Sequence, residues 1–209
     1  MQPFVTRRLA LALPLLSACA TEDSGPYIAP GTPSYGHLTP LRLKVSGIEI
    51  TPPGAGAAML VQPPAPVTPS ELMVLMAQGR LSAAGGTARA KFLIQTASLS
   101  RESASSGGLF TPGSEKFRCV MSCRLEIISP ENISLAFTSA EVRRDLTSSV
   151  SNDDERARAA ERVVKLAGQD LNIEFEYQVR RNLRSWLQLT AAAGEALPQP
   201  VEREALPRG

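Results

Sequence analysis

The groups in this chain best suited to chemistry are three cysteine thiols, one imidazole and a scatter of carboxylates. Two thiols, Cys119 and Cys123, lie in the run from Glu115 to Ile128. There Phe117, Cys119, Met121, Cys123, Leu125 and Ile127 alternate with Lys116, Arg118, Ser122, Arg124 and Glu126. That alternation is a β-strand with one apolar face. Strand residues four apart are separated by roughly 13 Å, whereas a disulfide needs α-carbons within about 7 Å. Either the strand breaks there or both are buried free thiols, and the second is preferred. Two thiols do not close a zinc site. The single histidine, His37, lies in a Pro-rich segment, so Ser/His/Asp chemistry would have to recruit it from there. Asp153/Asp154 and Glu174/Glu176 read as helix capping and a solvated face rather than an acid/base pair. Gly54 to Ala58 lacks the glycine spacing of a dinucleotide loop and no helix follows it. No catalytic residue, metal site or cofactor is expected.

Hydrophobic residues make up 43% of the 209 positions and charged residues 20%, which excludes a mostly disordered chain. Lys+Arg is 22 and Asp+Glu is 20. Residues 1–18 carry only Arg7 and Arg8, so the remainder balances at 20 against 20. A neutral chain has no global attraction for nucleic acid. The arginines Arg143, Arg144, Arg180, Arg181 and Arg184 read as surface charges balanced by Glu141, Asp145, Glu174 and Glu176, rather than as a basic patch.

The third thiol has a different setting. Met1 to Arg8 is a short basic start, and Leu9 to Ala18 is an uncharged apolar stretch of ten residues. That is far short of the ~20 needed to span a bilayer. Basic start, short apolar core and small residues before a processing point make residues 1–18 a secretory signal peptide. Leu16-Ser17-Ala18-Cys19 resembles a bacterial lipobox. The resemblance implies cleavage before Cys19, with its sulfur carrying diacylglycerol and the new amino group often acylated. Each buried methylene contributes about 0.8 kcal/mol, so two or three acyl chains hold a domain firmly on a membrane. Ala20 rather than Asp follows the cysteine; by resemblance to enterobacterial sorting this implies the outer membrane, with the inner membrane as the alternative.

The elements that must stand behind such an anchor follow. Residues 19–40, with four Pro and three Gly between Thr21 and Pro40, form a tether. Residues 41–190 form one domain, and residues 191–209 a disordered tail. Leu41, Leu43 and Val45 alternate with polar residues, then the phase slips at Ser46-Gly47 to Ile48 and Ile50; this predicts one strand with a β-bulge. Thr68-Pro69-Ser70-Glu71 is a capping box opening a helix with Leu72, Leu75, Met76, Gly79 and Ala83 on one face, ended by Gly85-Gly86. Ala88 to Leu99 predicts a strand with Phe92 and Ile94 inward, and Ser103 to Gly108 a hairpin connection. After the cysteine strand, Ser129 to Asn132 is a turn. Ile133, Leu135 and Phe137 then alternate with Ser134, Ala136 and Thr138, predicting an antiparallel hairpin. Asn152 with three following acids caps a long helix. Its stripe runs Ala160, Val164, Ala167, Leu171, Phe175, Val179, Leu183 and Trp186, reaching about Leu189 unless broken near Gly168. The order β-α-β-β-β-α predicts an α+β two-layer sandwich, a mostly antiparallel sheet with two helices on one face. A helix of ~37 residues would reach about 55 Å, past a small sheet. Its tip, with Leu183, Trp186 and Leu187, is therefore a candidate docking surface; the competing reading is that Trp186 caps the domain's own core.

Lipobox, tether and a small α+β domain with a long closing helix together resemble the transport-associated periplasmic lipoproteins of Gram-negative bacteria. These include auxiliary lipoproteins of ABC-type lipid transporters and the lipopolysaccharide-assembly lipoprotein. The resemblance implies a non-catalytic accessory subunit of an envelope complex, held to the membrane by its N-terminal lipid. Only Leu16 to Cys19 is a specific motif, and no binding residue beyond Cys19 carries over. A second resemblance is to outer-membrane activators of peptidoglycan synthases. Their tethers are usually longer, whereas Ala20 to Pro40 spans at most ~70 Å.

Overall fold

The computed structural model describes residues 33–53, 62, 64–108 and 113–188. It is the expected α+β sandwich, with two helices on one face of a mostly antiparallel sheet. Strand β1 is Leu41–Leu43, β2 is Ile48–Thr51, and helix α1 is Pro69–Arg80. Strand β3 is Leu81–Ala83, β4 is Arg89–Ser105, β5 is Ser114–Ile128 and β6 is Ser134–Ser149. Helix α2 is Asp153–Asn182, followed by a 3₁₀ turn at Arg184–Trp186. The main sheet has the order β2-β4-β5-β6, with β2 parallel to β4 and the other pairs antiparallel.

The phase slip at Ser46-Gly47 is not a bulge within one strand. It is a change of sheet: β1 pairs in parallel with β3, and β2 pairs with β4. The Ala88 carbonyl accepts from the Ser46 N–H at 2.8 Å, and the Gly47 carbonyl from the Ala90 N–H at 2.9 Å, steering the chain across. Helix α1 is shorter than expected for the same reason. Leu81 to Ala83 leave the helix to pair with β1, so Gly85-Gly86 form the turn into β4 rather than a helix cap. Gly86 has φ +136, and a Cβ there would meet the Lys44 carbonyl oxygen at 2.7 Å, so no other residue fits.

The caps form as the residue pattern demands. The Thr68 hydroxyl accepts from the Glu71 N–H at 3.3 Å, while the Thr68 N–H donates to the Glu71 carboxylate at 3.0 Å. The Thr68 hydroxyl also donates to that carboxylate at 2.7 Å, and this bond, with the one from the Thr68 N–H, holds the Glu71 carboxyl below its ordinary pKa. Asn152 accepts from the Glu155 N–H at 2.9 Å, and Asp153, Asp154 and Glu155 occupy the positive end of α2. The helix is unbroken through Gly168 but has 30 residues, ending at Asn182. It is therefore about 45 Å long, not 55 Å.

The core lies between the helices and the sheet. Leu171, Phe175 and Val179 of α2 are fully buried, each contributing about 1.5–3 kcal/mol. Phe175 meets Phe92 of β4 edge-on, with ring centres 5.6 Å apart. The helices cross at Gly168, where a Cβ would meet Leu72 Cδ2 at 2.3 Å. Phe117, Cys119, Met121, Cys123, Leu125 and Ile127 line the inner face of β5. The β5 ladder is continuous through Cys119 and Cys123, and both are buried free thiols, pushed up to a pKa of about 12 by burial. The last part of the expected tether packs on the domain. Tyr35 is buried with its hydroxyl near Gly168, and Arg80 donates to the Thr39 carbonyl at 2.5 Å.

Candidate interaction surface

The helix tip named from the sequence is built into the fold. Leu183 is fully buried and Leu187 is 5% exposed, so neither offers a free docking surface; Trp186 is half-buried against the same core. The cause is the short end of α2. After Leu183 the 3₁₀ turn swings the chain alongside β1, where Leu187 bridges to Leu43. The Lys44 N–H donates to the Trp186 carbonyl at 2.8 Å, and the Gln188 N–H to the Arg42 carbonyl at 2.8 Å. These bonds satisfy the outer edge of β1, so the tip seals a sheet. Cys19, the expected lipid attachment point, and the 191–209 tail lie outside the described residues.

Apolar exposure occurs elsewhere. Ile133, Leu135 and Phe137 precede and open β6, and they are 61%, 48% and 53% exposed. The predicted hairpin is present, with Phe137 opposite Glu126 and Thr138 opposite Leu125. The register turns Phe137 outward opposite Glu126; a register shift between Ala136 and Ser134 leaves Leu135 as an extra residue, and Leu135 and Ile133 are exposed on the run that leads into the strand. The inward set is Ala136, Thr138, Ala140, Val142 and Leu146, which α2 covers. Small side chains there let the helix lie close. Asn182 donates to the Thr138 hydroxyl at 3.0 Å, and Arg144 donates to Asp170 at 3.2 Å. Reading the alternation through the whole strand would have located the outward face. The residues in phase with Phe137 continue as Ser139, Glu141, Arg143 and Asp145, a polar series no core accepts.

The Arg124 guanidinium lies over the Phe137 ring, 3.7 Å from its centre. Glu126 lies 3.7 Å from Arg124 and bonds the Ser134 hydroxyl. An exposed aromatic ring capped by Arg, with two exposed aliphatics just before it in the chain, is suited to binding a partner surface.

Charges elsewhere on the sheet are largely paired. Asp145 receives Lys116 and Arg118, each at 3.1 Å, with Arg143 at 3.7 Å. Burial raises its pKa, but these bonds outweigh that and leave it below the ordinary value. Arg144 pairs with Asp170, and Arg180 with Glu176 at 2.8 Å. The expected balance therefore holds for Arg143 with Asp145 and for Arg180 with Glu176; Arg144 pairs with Asp170 instead, Glu174 accepts from Gln178, and Glu141 makes no ion pair among the described residues. Arg181 and Arg184 join Lys44 around an open cleft of about 740 Å³. A second cleft of about 590 Å³ is lined by Pro52, Pro53, Pro66, Val67, Val74 and Leu75, with Ser70 and Glu71 at its side. One buried ion pair has no local signature in the sequence: Arg80 is 1% exposed and bonds Glu176 from beneath α2. Among the described residues no helix is long and apolar enough to cross a membrane, and no acidic, His and Cys side chains gather into a metal-sized group.

No family model matches the chain, and no curated protein matches it. Similar solved structures include a minor lipoprotein of Acinetobacter baumannii, at 8% identity and TM-score 0.35, over 65% of this chain and 94% of that one. An uncharacterized lipoprotein B of Nitrosomonas europaea aligns at 17% identity and TM-score 0.34, over 69% and 86%. A Xanthomonas campestris protein aligns at 13% identity and TM-score 0.30, over 67% and 97%. At these values the similarities assign no family.

Proposed function

We propose that this chain is an envelope lipoprotein, anchored through acyl chains on Cys19 at the periplasmic face of the outer membrane. It acts there as a non-catalytic accessory subunit of a lipid- or lipopolysaccharide-transport complex. The anchor rests on Leu16-Ser17-Ala18-Cys19 behind a basic start and a ten-residue apolar stretch. The observation that carries the binding role is the outward Ile133, Leu135 and Phe137 triplet with Arg124 over the ring. Beyond the Arg124 contact with Phe137, exposing three large apolar side chains to water brings the fold nothing, and covering them by a partner would. The transport assignment is supported by the resemblance of motif and element order.

Two experiments test it. Cys19→Ser should leave the protein unprocessed or released from membranes; unchanged membrane attachment contradicts the anchor. Crosslinking in intact envelopes followed by pull-down should recover subunits of a lipid-transport machine. Recovery of a peptidoglycan synthase instead would replace the transport role with synthase activation.

A further inference from the structure

Strand β6 is the edge of the main sheet, and among the described residues nothing pairs with its outer side. It has 16 residues, with no Pro and no Lys. Natural sheets usually blunt such an edge with Pro, charged side chains, bulges or short strands; β6 has one register shift, at Leu135 near its start, and its charges, Glu141, Arg143, Arg144 and Asp145, are of both signs and so can complement a partner strand. We propose that β6 is the seam of a symmetric dimer, in which the edges of two copies pair antiparallel and continue the sheet across both.

The charge pattern selects the second copy and its register. In a two-fold pairing each residue meets its mate about one central residue, and same-face residues stay on one face. Centring on Glu141 sets that carboxylate against itself. Centring on Arg143 sets Arg143 against itself and Glu141 against Asp145. A centre at Arg144 opposes two guanidiniums, and one at Ala140 leaves Glu141 and Arg143 without opposite charges. Centring on Val142 sets Glu141 of each copy against Arg143 of the other, twice over. Asp145 then meets Ser139, Arg144 meets Ala140, and no like charges oppose. Phe137 meets Thr147, an aromatic and β-branched pair of the kind that stabilises neighbouring strands. This register pairs the regular run 136–148 in full and sets Ser149 against the extra residue Leu135. Glu141 is exposed and has no ion-pair partner of its own among the described residues.

The helix layer points to the same axis. Asp170, Ile173 and Tyr177 share one stripe of α2, and Asp170 marks it as the β6 side through its bond to Arg144. Ile173 is 68% exposed and Tyr177 54% exposed. Thr138 meets Asn182 and Arg144 meets Asp170, so Val142 lies level with the turn that carries these two side chains. A two-fold axis at Val142 brings that turn of one helix towards the same turn of the other, giving Ile173 and Tyr177 an apolar partner.

The test uses the purified full chain in mild detergent under a thiol oxidant. Val142→Cys should give a disulfide-linked dimer, since opposed α-carbons in an antiparallel pair lie about 4.5–5.5 Å apart. Ser139→Cys places its mates roughly 20 Å apart along the seam and should yield roughly tenfold less. Glu141→Arg in the Val142→Cys chain should lower the yield several-fold, and adding Arg143→Glu should restore it. Light scattering on the unsubstituted chain provides a readout that needs no cysteine: a dimer mass that Glu141→Arg converts to monomer. Equal yields at 139 and 142, indifference to charge reversal, or a monomer at every concentration would overturn the proposal.

Discussion

The end of α2 and the start of β6 are both apolar segments with an aromatic residue, yet they have opposite fates. Leu183 and Leu187 sink into the core because the 3₁₀ turn lays the chain against β1. Ile133, Leu135 and Phe137 stand in water because the inner face of β6 is already filled by small residues under α2. Composition is nearly the same in the two places. What differs is whether a neighbouring edge or helix is available, so an apolar tip on a long helix is poor grounds for a docking site unless the next residues also lead away from the domain.

Substitutions can break this contrast, and the largest effect belongs to the buried end. Leu183→Ala should destabilise the fold by about 3 kcal/mol, by emptying space in a packed core, seen as a lower urea midpoint with an unchanged slope. Glu176→Ala should cost about 2 kcal/mol, less than the usual loss for a fully buried pair because Glu176 is one-third exposed while Arg80 is not. The same unfolding measurement reads it, and Arg80→Met with Glu176→Ala together should recover part of the loss. Phe137→Ser, by contrast, should move stability by no more than about 0.5 kcal/mol while reducing partner capture; a loss as large as that of Leu183→Ala would erase the distinction. The smallest effect is a matter of pH. Arg156 bonds the Glu115 carboxylate through its Nε and Nη2 at 2.8 to 3.0 Å and holds its pKa below the ordinary 4.5. The stabilisation is complete above that ordinary value and is lost as pH falls through the depressed one. The gap in urea midpoint between the native chain and Glu115→Gln should therefore be constant near neutrality and close in acid.

Much of the fold was legible because local signals agreed with the tertiary contacts. Thr68 to Glu71 and Asn152 to Glu155 name their caps outright, and the uninterrupted alternation from Phe117 to Ile127 names both a strand and its buried face. The misreadings arose where a long-range partner decided. Leu81 to Ala83 continue a helical stripe, but pairing with β1 draws them into a strand. Leu183 and Trp186 continue another, until the β1 edge takes the chain. Of the candidate site, the outward triplet was visible as residues but not as a surface, because six residues of alternation fit either face and only the later Glu141, Arg143 and Asp145 break the tie. The buried Arg80 was not legible at all. An arginine near a helix end reads as solvated until α2 is known to place Glu176 over it.

The contrast between the two regions is tested most directly by photo-crosslinking in living cells, with a photoreactive residue placed at position 137 or at position 186 of the full chain. The account predicts adducts to an envelope transport subunit, identified by mass spectrometry, from position 137 and none from position 186. Adducts from 186 with none from 137 would contradict it and return the docking role to the helix end.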